Sequence, residues 1–460
     1  MDGSRTNENP ELCRTIGKWQ VLFYGLGSML GAGVYVLIGK AAGILGNAVW
    51  LAFAAAMIAA LTTGLSYASV GSRYPKAGGA AYVTQRAYRL GWLGYAVGIS
   101  VMMSGLTSMA TGSLAIAANL AAYGGLAIPE KIIAIVLVMM LGSVIYRGIR
   151  ESMWANMFCT FVEVAGLLFI IGVGIRFWGG VNLLEVPDSA VGTGLAGISM
   201  VVILQGAVLT FFSFIGFEDI LNVSEEVKDP RKAIPFGLVG AMIGATVIYM
   251  AVAITAVSVL PWRELAASPA PLMEVAKRAA PWFSGIGPVY LFITLFSIGN
   301  TALLNYLMGS RLLYGMSRQG LLPAVLGKVH PVRRTPHVAI AVLFVIVVCL
   351  ILVGGVKQLA EATSLLLLSV FVVVNVALVI LKRRRGEASG GFEIPMAVPV
   401  IGASVCLLLI VSRIHGAVTS TDKSLHTAPL VAGAVIAASI VLFHVLKPRR
   451  IGAATESDDV

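Results

Sequence analysis

Glu163, Glu218 and Asp219 are set inside apolar stretches from which charge is otherwise nearly excluded. A carboxyl group in a hydrocarbon-spanning helix is costly, so its presence points to a role such as carrying a proton, holding a cation or moving a gate. Glu218 and Asp219 follow directly on Phe211-Phe212-Ser213-Phe214-Ile215-Gly216-Phe217, a run of aromatics with one hydroxyl and one glycine. That run reads as a helix interrupted in mid-membrane, where carriers build binding sites. Carbonyls released at the interruption can accept from an ammonium group, and the phenylalanines can wall an apolar pocket.

A second candidate break lies earlier. Gly25-Leu26-Gly27-Ser28-Met29-Leu30-Gly31-Ala32-Gly33 holds four glycines in nine residues. Glycine lowers the cost of unwinding and lets a ligand approach the backbone. A half-helix beginning near Leu30 would offer free N–H groups and the positive end of its dipole to an anion such as a carboxylate. The alternative is close helix packing, since Gly27-x-x-x-Gly31 also fits the small-residue motif of membrane helices. The two breaks lie five spans apart, the spacing of an inverted-repeat carrier.

These residues need membrane helices to position them. Of the 460 residues 58% are hydrophobic and 12% charged, with a mean hydropathy of +0.90. Soluble domains carry about 25% charged residues. The apolar runs are continuous and about 20 residues long, which fits spanning helices and excludes the short alternating strands of a barrel. Twelve spans are expected, at 19–42, 47–70, 87–118, 131–147, 156–177, 198–224, 235–260, 286–316, 337–354, 359–381, 395–413 and 427–446. With the N-terminus placed in the cytoplasm, 24 of the 33 Lys and Arg residues fall inside and 9 outside. That split obeys the positive-inside rule with both termini cytoplasmic. It also accounts for the net charge of +11 without nucleic acid as a partner. The longest external loop, 261–285, should carry a short interfacial helix, and the last ten or so residues read as a tail. No signal segment or lipidation motif is evident. The four cysteines, Cys13, Cys159, Cys349 and Cys406, lack metal-ligand spacing and read as apolar fillers.

Several segments resemble one family. Gly27-Ser-Met-Leu-Gly-Ala-Gly-Val34 resembles the opening span of the amino acid–polyamine–organocation superfamily of permeases. Tyr74-Pro-Lys-Ala-Gly-Gly-Ala-Ala-Tyr82 resembles its loop between spans two and three. Phe211 to Glu218 and Ser224-Glu-Glu-Val-Lys-Asp-Pro-Arg-Lys-Ala-Ile-Pro235 resemble span six and the loop after it. Arg311 to Pro323, Lys328-Val-His-Pro331 and Thr335-Pro336 resemble the end of span eight and its loop. The resemblance implies an all-α LeuT-like membrane fold of two inverted five-helix repeats, 19–185 and 186–382, plus two helices within 383–446. Tails at 1–18 and 447–460 flank them. It implies alternating access, with the substrate carboxylate at Ser28 to Gly33 and the ammonium and pocket at Phe212, Ser213 and Ile215. Many relatives carry Asp at the place of Glu218. Some proton-coupled relatives carry a lysine at the place of Glu163, and a carboxylate there could instead carry a proton or coordinate sodium.

Glu218 is the first candidate for proton coupling or gating, with a structural hydrogen bond as the alternative. Asp219 points about 100° away on a helix. Glu163 is a coupling candidate or a fixed polar contact. Asn300, Thr301 and Asn305 are its possible partners or plain interhelical hydrogen bonders. Glu225 and Glu226 read as gate or loop-fixing residues that pair with Arg or Lys. His330 and His337 lie in a proline-containing loop, and no nucleophile–His–acid set, nucleotide loop or metal cluster is present, so enzymatic activity is not expected. The expected protein is a secondary active transporter of the cytoplasmic membrane, a monomer or weak oligomer. It moves a small neutral amino acid and needs no cofactor, with a proton favoured as coupling ion and sodium left open. An amino acid or amine exchanger, a non-transporting sensor and, less well, a channel are the other readings.

Overall fold

The computed structural model describes residues 12–124, 128–268, 270–353, 356–387, 389–419 and 424–446. Residues 1–11 of the expected tail 1–18, and the whole of the expected tail 447–460, lie outside the described residues. Among the described residues the chain is helical, with two isolated β-bridges, Ile16–Val227 and Val191–Ile198. Helix is the expected answer of a long apolar chain, because it satisfies each backbone group within its own segment. Eight described segments are long and apolar enough to cross a bilayer, and His337–Leu352 and Pro429–Val445 are shorter apolar helices.

The order begins α1 (Lys18–Met29), α2 (Ala32–Leu45), α3 (Val49–Arg73), α4 (Gly79–Tyr88), α5 (Gly91–Gly124), α6 (Glu130–Arg147) and α7 (Ile149–Gly174). It continues α8 (Met200–Phe211), α9 (Pro230–Val259), α10 (Trp262–Ala267), α11 (Pro271–Ala279) and α12 (Ile286–Arg318). The last four are α13 (His337–Val353), α14 (Val356–Arg383), α15 (Ala397–Thr419) and α16 (Ser424–Leu446). Helix overlaps each expected span, though α7 starts early, at Ile149 rather than 156, and α5 and α15 run on to Gly124 and Thr419 rather than 118 and 413; two further differences have local causes. The third span starts later than 87, because Arg89 adopts a left-handed conformation (φ 57°) and splits off the short α4. The 261–285 segment holds two short helices, α10 and α11, rather than one; a proline precedes or opens each, as suits a first helical turn.

The two interrupted helices sit in the middle of the bundle. α1 packs on α7 and α9, and α2 on α8 and α10. α3 packs on α8 and α9, and α12 on α5 and α7. α15 and α16 flank α14.

The connection between α14 and α15 is strapped across the ends of α3 and α4. Glu393 accepts from Arg73 (2.5 Å) and Lys382 (2.9 Å), and Glu387 accepts from Arg86 (2.9 Å), Tyr74 (2.7 Å) and Arg384 (3.3 Å). Partial burial works against the Glu393 carboxylate. Arg73, Lys382 and the Gly390 N–H outweigh it and hold the group at about 2. A carboxyl depressed in this way stabilises the fold above its unfolded value, near 4.3, and loses that contribution as pH falls toward 2. Thermal stability in detergent should therefore fall between about pH 5 and pH 2. Glu393→Gln should flatten part of that fall, and an unchanged pH profile would show the strap to contribute nothing.

Candidate functional site

The first break is where the glycines predict it. α1 stops at Met29, the Leu30 N–H still reaches back to the Leu26 carbonyl (2.8 Å), and α2 begins at Ala32. No side chain caps the start of α2, so its first N–H groups are the orphan donors of a helix N-terminus. The glycines also serve close packing. A Cβ at Gly27 would stand 2.6 Å from Asn156 Oδ1 and from Asn300 Nδ2, and one at Gly31 would overlap the Thr301 hydroxyl. Both readings of the glycine run thus hold together: the helix is interrupted, and its glycines let α7 and α12 approach. Ser28, Met29, Leu30 and Gly31 are buried, Gly33 is half-buried, and Ala32 contributes its backbone.

The second break follows α8. Phe212–Phe214 form one 3-10 turn, Ile215 is extended, and Gly216 takes φ 125°, a conformation that favours glycine. The chain resumes as a 3-10 helix over Phe217–Glu226. Ten residues is long for that geometry, which is otherwise seen in short pieces and at hinges. Phe211, Phe214 and Phe217 are fully buried. Phe217 stacks on Phe371 (5.1 Å between centroids), Phe211 meets the same ring edge-on (6.0 Å), and Phe214 meets Tyr249 (5.2 Å). These three anchor the break from behind. Phe212 and Ile215 stay half-buried, and the buried Ser213 hydroxyl has no partner.

The two breaks meet. Ser28 Oγ donates to Asp219 Oδ2 (2.8 Å). A Cβ at Gly216 would lie 2.6 Å from the Ser28 carbonyl oxygen, and one at Gly33 would lie 3.2 Å from Ser213 Cα. Tyr249 Oη, from α9, lies 2.5 Å from the Met29 carbonyl oxygen and 2.7 Å from that of Ser213. Sequence reasoning passed over Tyr249. A lone phenol within the apolar 235–260 span was the available signal.

The acids separate by partner. Glu218 Oε2 accepts from the Gly216 N–H (2.8 Å), so it braces its own break. Asp219, given the smaller role from sequence, is the acid that joins the two breaks. Glu163 is fully buried and accepts from the Ser297 hydroxyl, while its Oε2 has no partner. Ser297 lies about one turn before Asn300 and Thr301 and about two before Asn305, the residues that the sequence offered. Asn300 instead donates to Thr160 (3.1 Å), Asn305 to Ser108 (3.3 Å), and the Thr301 hydroxyl to the Ser297 carbonyl (3.2 Å). Glu226 pairs with Arg311 (3.0 Å), both side chains being fully buried. Glu225 accepts from the Ala77 N–H (2.9 Å) rather than from a cation. The Glu226 carbonyl also accepts from the Thr15 and Ile16 N–H groups (2.9 and 3.0 Å). Residues 15–16 and 77 are therefore tied to residues 225–226, the end of the 3-10 helix that follows the second break. His330 accepts through Nδ1 from the Val332 and Arg333 N–H groups (3.3 and 3.2 Å), a loop-fixing role. Of the cysteines only Cys406 is buried as a filler; Cys159 is half-buried, and Cys13 and Cys349 are exposed.

The two breaks stand on apolar helices, and the family model described as "Amino acid permease" matches residues 16–439. The chain belongs to that family. It is 29% identical over 430 residues to the branched-chain amino acid permease BcaP of Bacillus subtilis, covering 88% of this chain and 90% of the relative. It is 28% identical over 433 residues to the methylthioribose transporter of the same organism, covering 89% and 90%. It is 30% identical over 403 residues to the vacuolar cationic amino acid transporter 4 of Arabidopsis thaliana, covering 82% of this chain and 64% of the relative. This amino acid permease is a multi-pass membrane protein, and its relatives are transporters rather than enzymes.

Proposed function

We infer that this permease is a secondary active carrier taking up a small neutral amino acid together with a proton, by alternating access. The observation that carries the reading is the meeting of the two breaks. It sets the uncapped start of α2 against the second break, with Gly33 packed on Ser213, and leaves the carbonyls of Met29 and Ser213 without helical donors, held by the Tyr249 hydroxyl. A zwitterion fits such a pair of ends, its carboxylate at Ser28 to Gly33 and its ammonium at the carbonyls of the second break. Phe212 and Ile215 then border the side chain. The architecture in this reading is LeuT-like: five-helix repeats over 19–185 and 186–382, two further spans within 383–446, and twelve spans in all. Both termini lie in the cytoplasm, and the protein sits in the cytoplasmic membrane as a monomer or weak oligomer. The relatives named for branched-chain and cationic amino acids support an amino acid substrate. The coupling acid in this reading is Glu218, which braces the second break with Asp219 beside it. Exchange without net ion coupling and substrate sensing without flux are the competing activities.

A second reading concerns the ion. Glu163 Oε2 and Asn300 Oδ1 are buried acceptors without partners beside the first break. Ser297, Thr160 and Thr301 add hydroxyls close by. An oxygen-rich cluster with one carboxylate suits a sodium ion as well as a proton.

Counterflow in proteoliposomes separates these readings. Labelled glycine, alanine, serine, valine, leucine, lysine and arginine would be screened with and without inward proton or sodium gradients. Glu218→Gln is expected to lower proton-driven accumulation at least tenfold. Accumulation that follows sodium and is lost in Glu163→Gln would transfer coupling to the second cluster. Exchange that ignores both gradients and survives Glu218→Gln would remove coupling through Glu218. Binding without flux would leave a sensor.

A further inference from the structure

We propose that the Tyr249 hydroxyl is a stand-in for the substrate ammonium: it ties the two breaks together when no amino acid is bound and yields to the ammonium on binding. The proposal rests on the transport reading above, and it adds a positioning residue to it. Met29 O and Ser213 O occupy matching places, each just ahead of its break. In a continuous α-helix Met29 O would accept from the Gly33 N–H and Ser213 O from the Phe217 N–H. The breaks at Leu30–Gly31 and Ile215–Gly216 remove both donors. The nearby Gly216 N–H is given to Glu218 instead. Two buried carbonyls are thus left for one phenol on a third element, α9, at 2.5 and 2.7 Å. The phenol is fully buried and held edge-on by Phe214 (5.2 Å) and beside Phe53 (5.8 Å). Its ring has little freedom to leave the position.

The hydroxyl has one hydrogen for two acceptors, so it serves one carbonyl fully or shares itself between both. A primary ammonium has three donors. An ammonium entering here can satisfy both carbonyls and release the hydroxyl to accept or to donate elsewhere. A carrier without substrate has no such group. For it, two buried acceptors without a donor would burden every reorientation, and Tyr249 removes most of that burden. The hydroxyl therefore matters most for the return of the unloaded carrier, a step that net uptake needs and exchange does not.

Tyr249→Phe deletes only the oxygen. Purified full-length wild type and variant would be compared in proteoliposomes with labelled L-alanine and L-leucine, for net uptake and for exchange. The expected result is a loss of net uptake at least tenfold greater than the loss of exchange. Equal losses of the two, or no loss of either, would overturn the proposal. Thermal stability in detergent gives a second reading that needs no flux. The variant should melt below wild type without amino acid, and saturating amino acid should at least halve that gap. A gap absent without amino acid, or unchanged with it, counts against the proposal. A wild type that neither binds nor moves either amino acid would sink the transport reading instead, and the stability gap without amino acid would still decide whether Tyr249 joins the breaks. Should the variant not fold, 3-fluorotyrosine placed at position 249 reports the phenol in otherwise native protein. Its fluorine signal should move when amino acid is added, and a signal that stays in place would refute the displacement.

Discussion

Arg311→Met and Glu226→Leu, made singly, should each destabilise the protein by about 3–5 kcal/mol, while the double variant should recover most of that loss. Both side chains are fully buried, and the guanidinium reaches Glu226 through Nε (3.0 Å) and Nη2 (3.3 Å). Its remaining amino group is taken up by Ser310 Oγ (3.0 Å). Removing one partner strands the other charge away from water, which costs far more than the pair itself contributes. Replacing both with apolar side chains of similar volume removes the stranded charge. The measurement is a double-mutant cycle on thermal or denaturant unfolding in detergent, scored as lifetime if unfolding proves irreversible. Single losses that simply add in the double would show that the two groups do not act as a pair. The effect should extend beyond stability. The Glu226 carbonyl holds the Thr15 and Ile16 N–H groups, and its neighbour Glu225 holds the Ala77 N–H. Loosening the pair should thus free the segment around residues 15–16 to proteases before the rest of the bundle.

The breaks were legible because their signals are local. Glycine density at 25–33 and the aromatic–Ser–Gly run at 211–217 report on a few neighbouring residues, and helices overlap the apolar runs even where their ends lie elsewhere. Partners across the bundle were not legible in the same way. Glu163 lies on α7 and Ser297 on α12, and which turn of α12 faces the carboxyl depends on how the two helices slide and rotate against each other. Asn300 and Thr301 were the residues the sequence offered, and the packing of Gly27 and Gly31 draws them toward α1 instead. Arg311 stood in a recognised segment, but nothing local tied it to Glu226, 85 residues earlier. Glu218 and Asp219 show the same limit at close range. Adjacent positions point apart, and only the path of the broken chain decides that Asp219 reaches Ser28 while Glu218 turns back to Gly216. Tyr249 is the extreme case. The lone phenol in the 235–260 span marks the residue, but its role exists only where two breaks and α9 converge.

Gly216→Ala should nearly abolish transport, while Gly172→Ala should leave it intact. At Gly216 the backbone has φ 125° and ψ −20°, where a side chain is strained whatever surrounds it. Strain of this kind costs about 1–3 kcal/mol, and every 1.4 kcal/mol is about tenfold in a binding constant. Space is the second obstacle. The added methyl would stand 2.6 Å from the Ser28 carbonyl oxygen and 2.7 Å from Ser28 Oγ. Neither atom can give way cheaply. The carbonyl belongs to the last turn of α1, and the hydroxyl is committed to Asp219. Relief would require the two breaks to move apart, which separates the N–H groups at the start of α2 from the carbonyls of the second break. Counterflow with labelled L-alanine should fall at least tenfold, with the loss seen in binding as well as in flux. Gly172, in α7, is exposed and has nothing within 4 Å of an added Cβ. Alanine there should raise helix stability by up to about 1 kcal/mol without touching flux. Wild-type counterflow in Gly216→Ala would mean that the contact between the breaks is not part of the transport path. A comparable loss in Gly172→Ala would mean that the assay reports general damage to the helices rather than the geometry of the site.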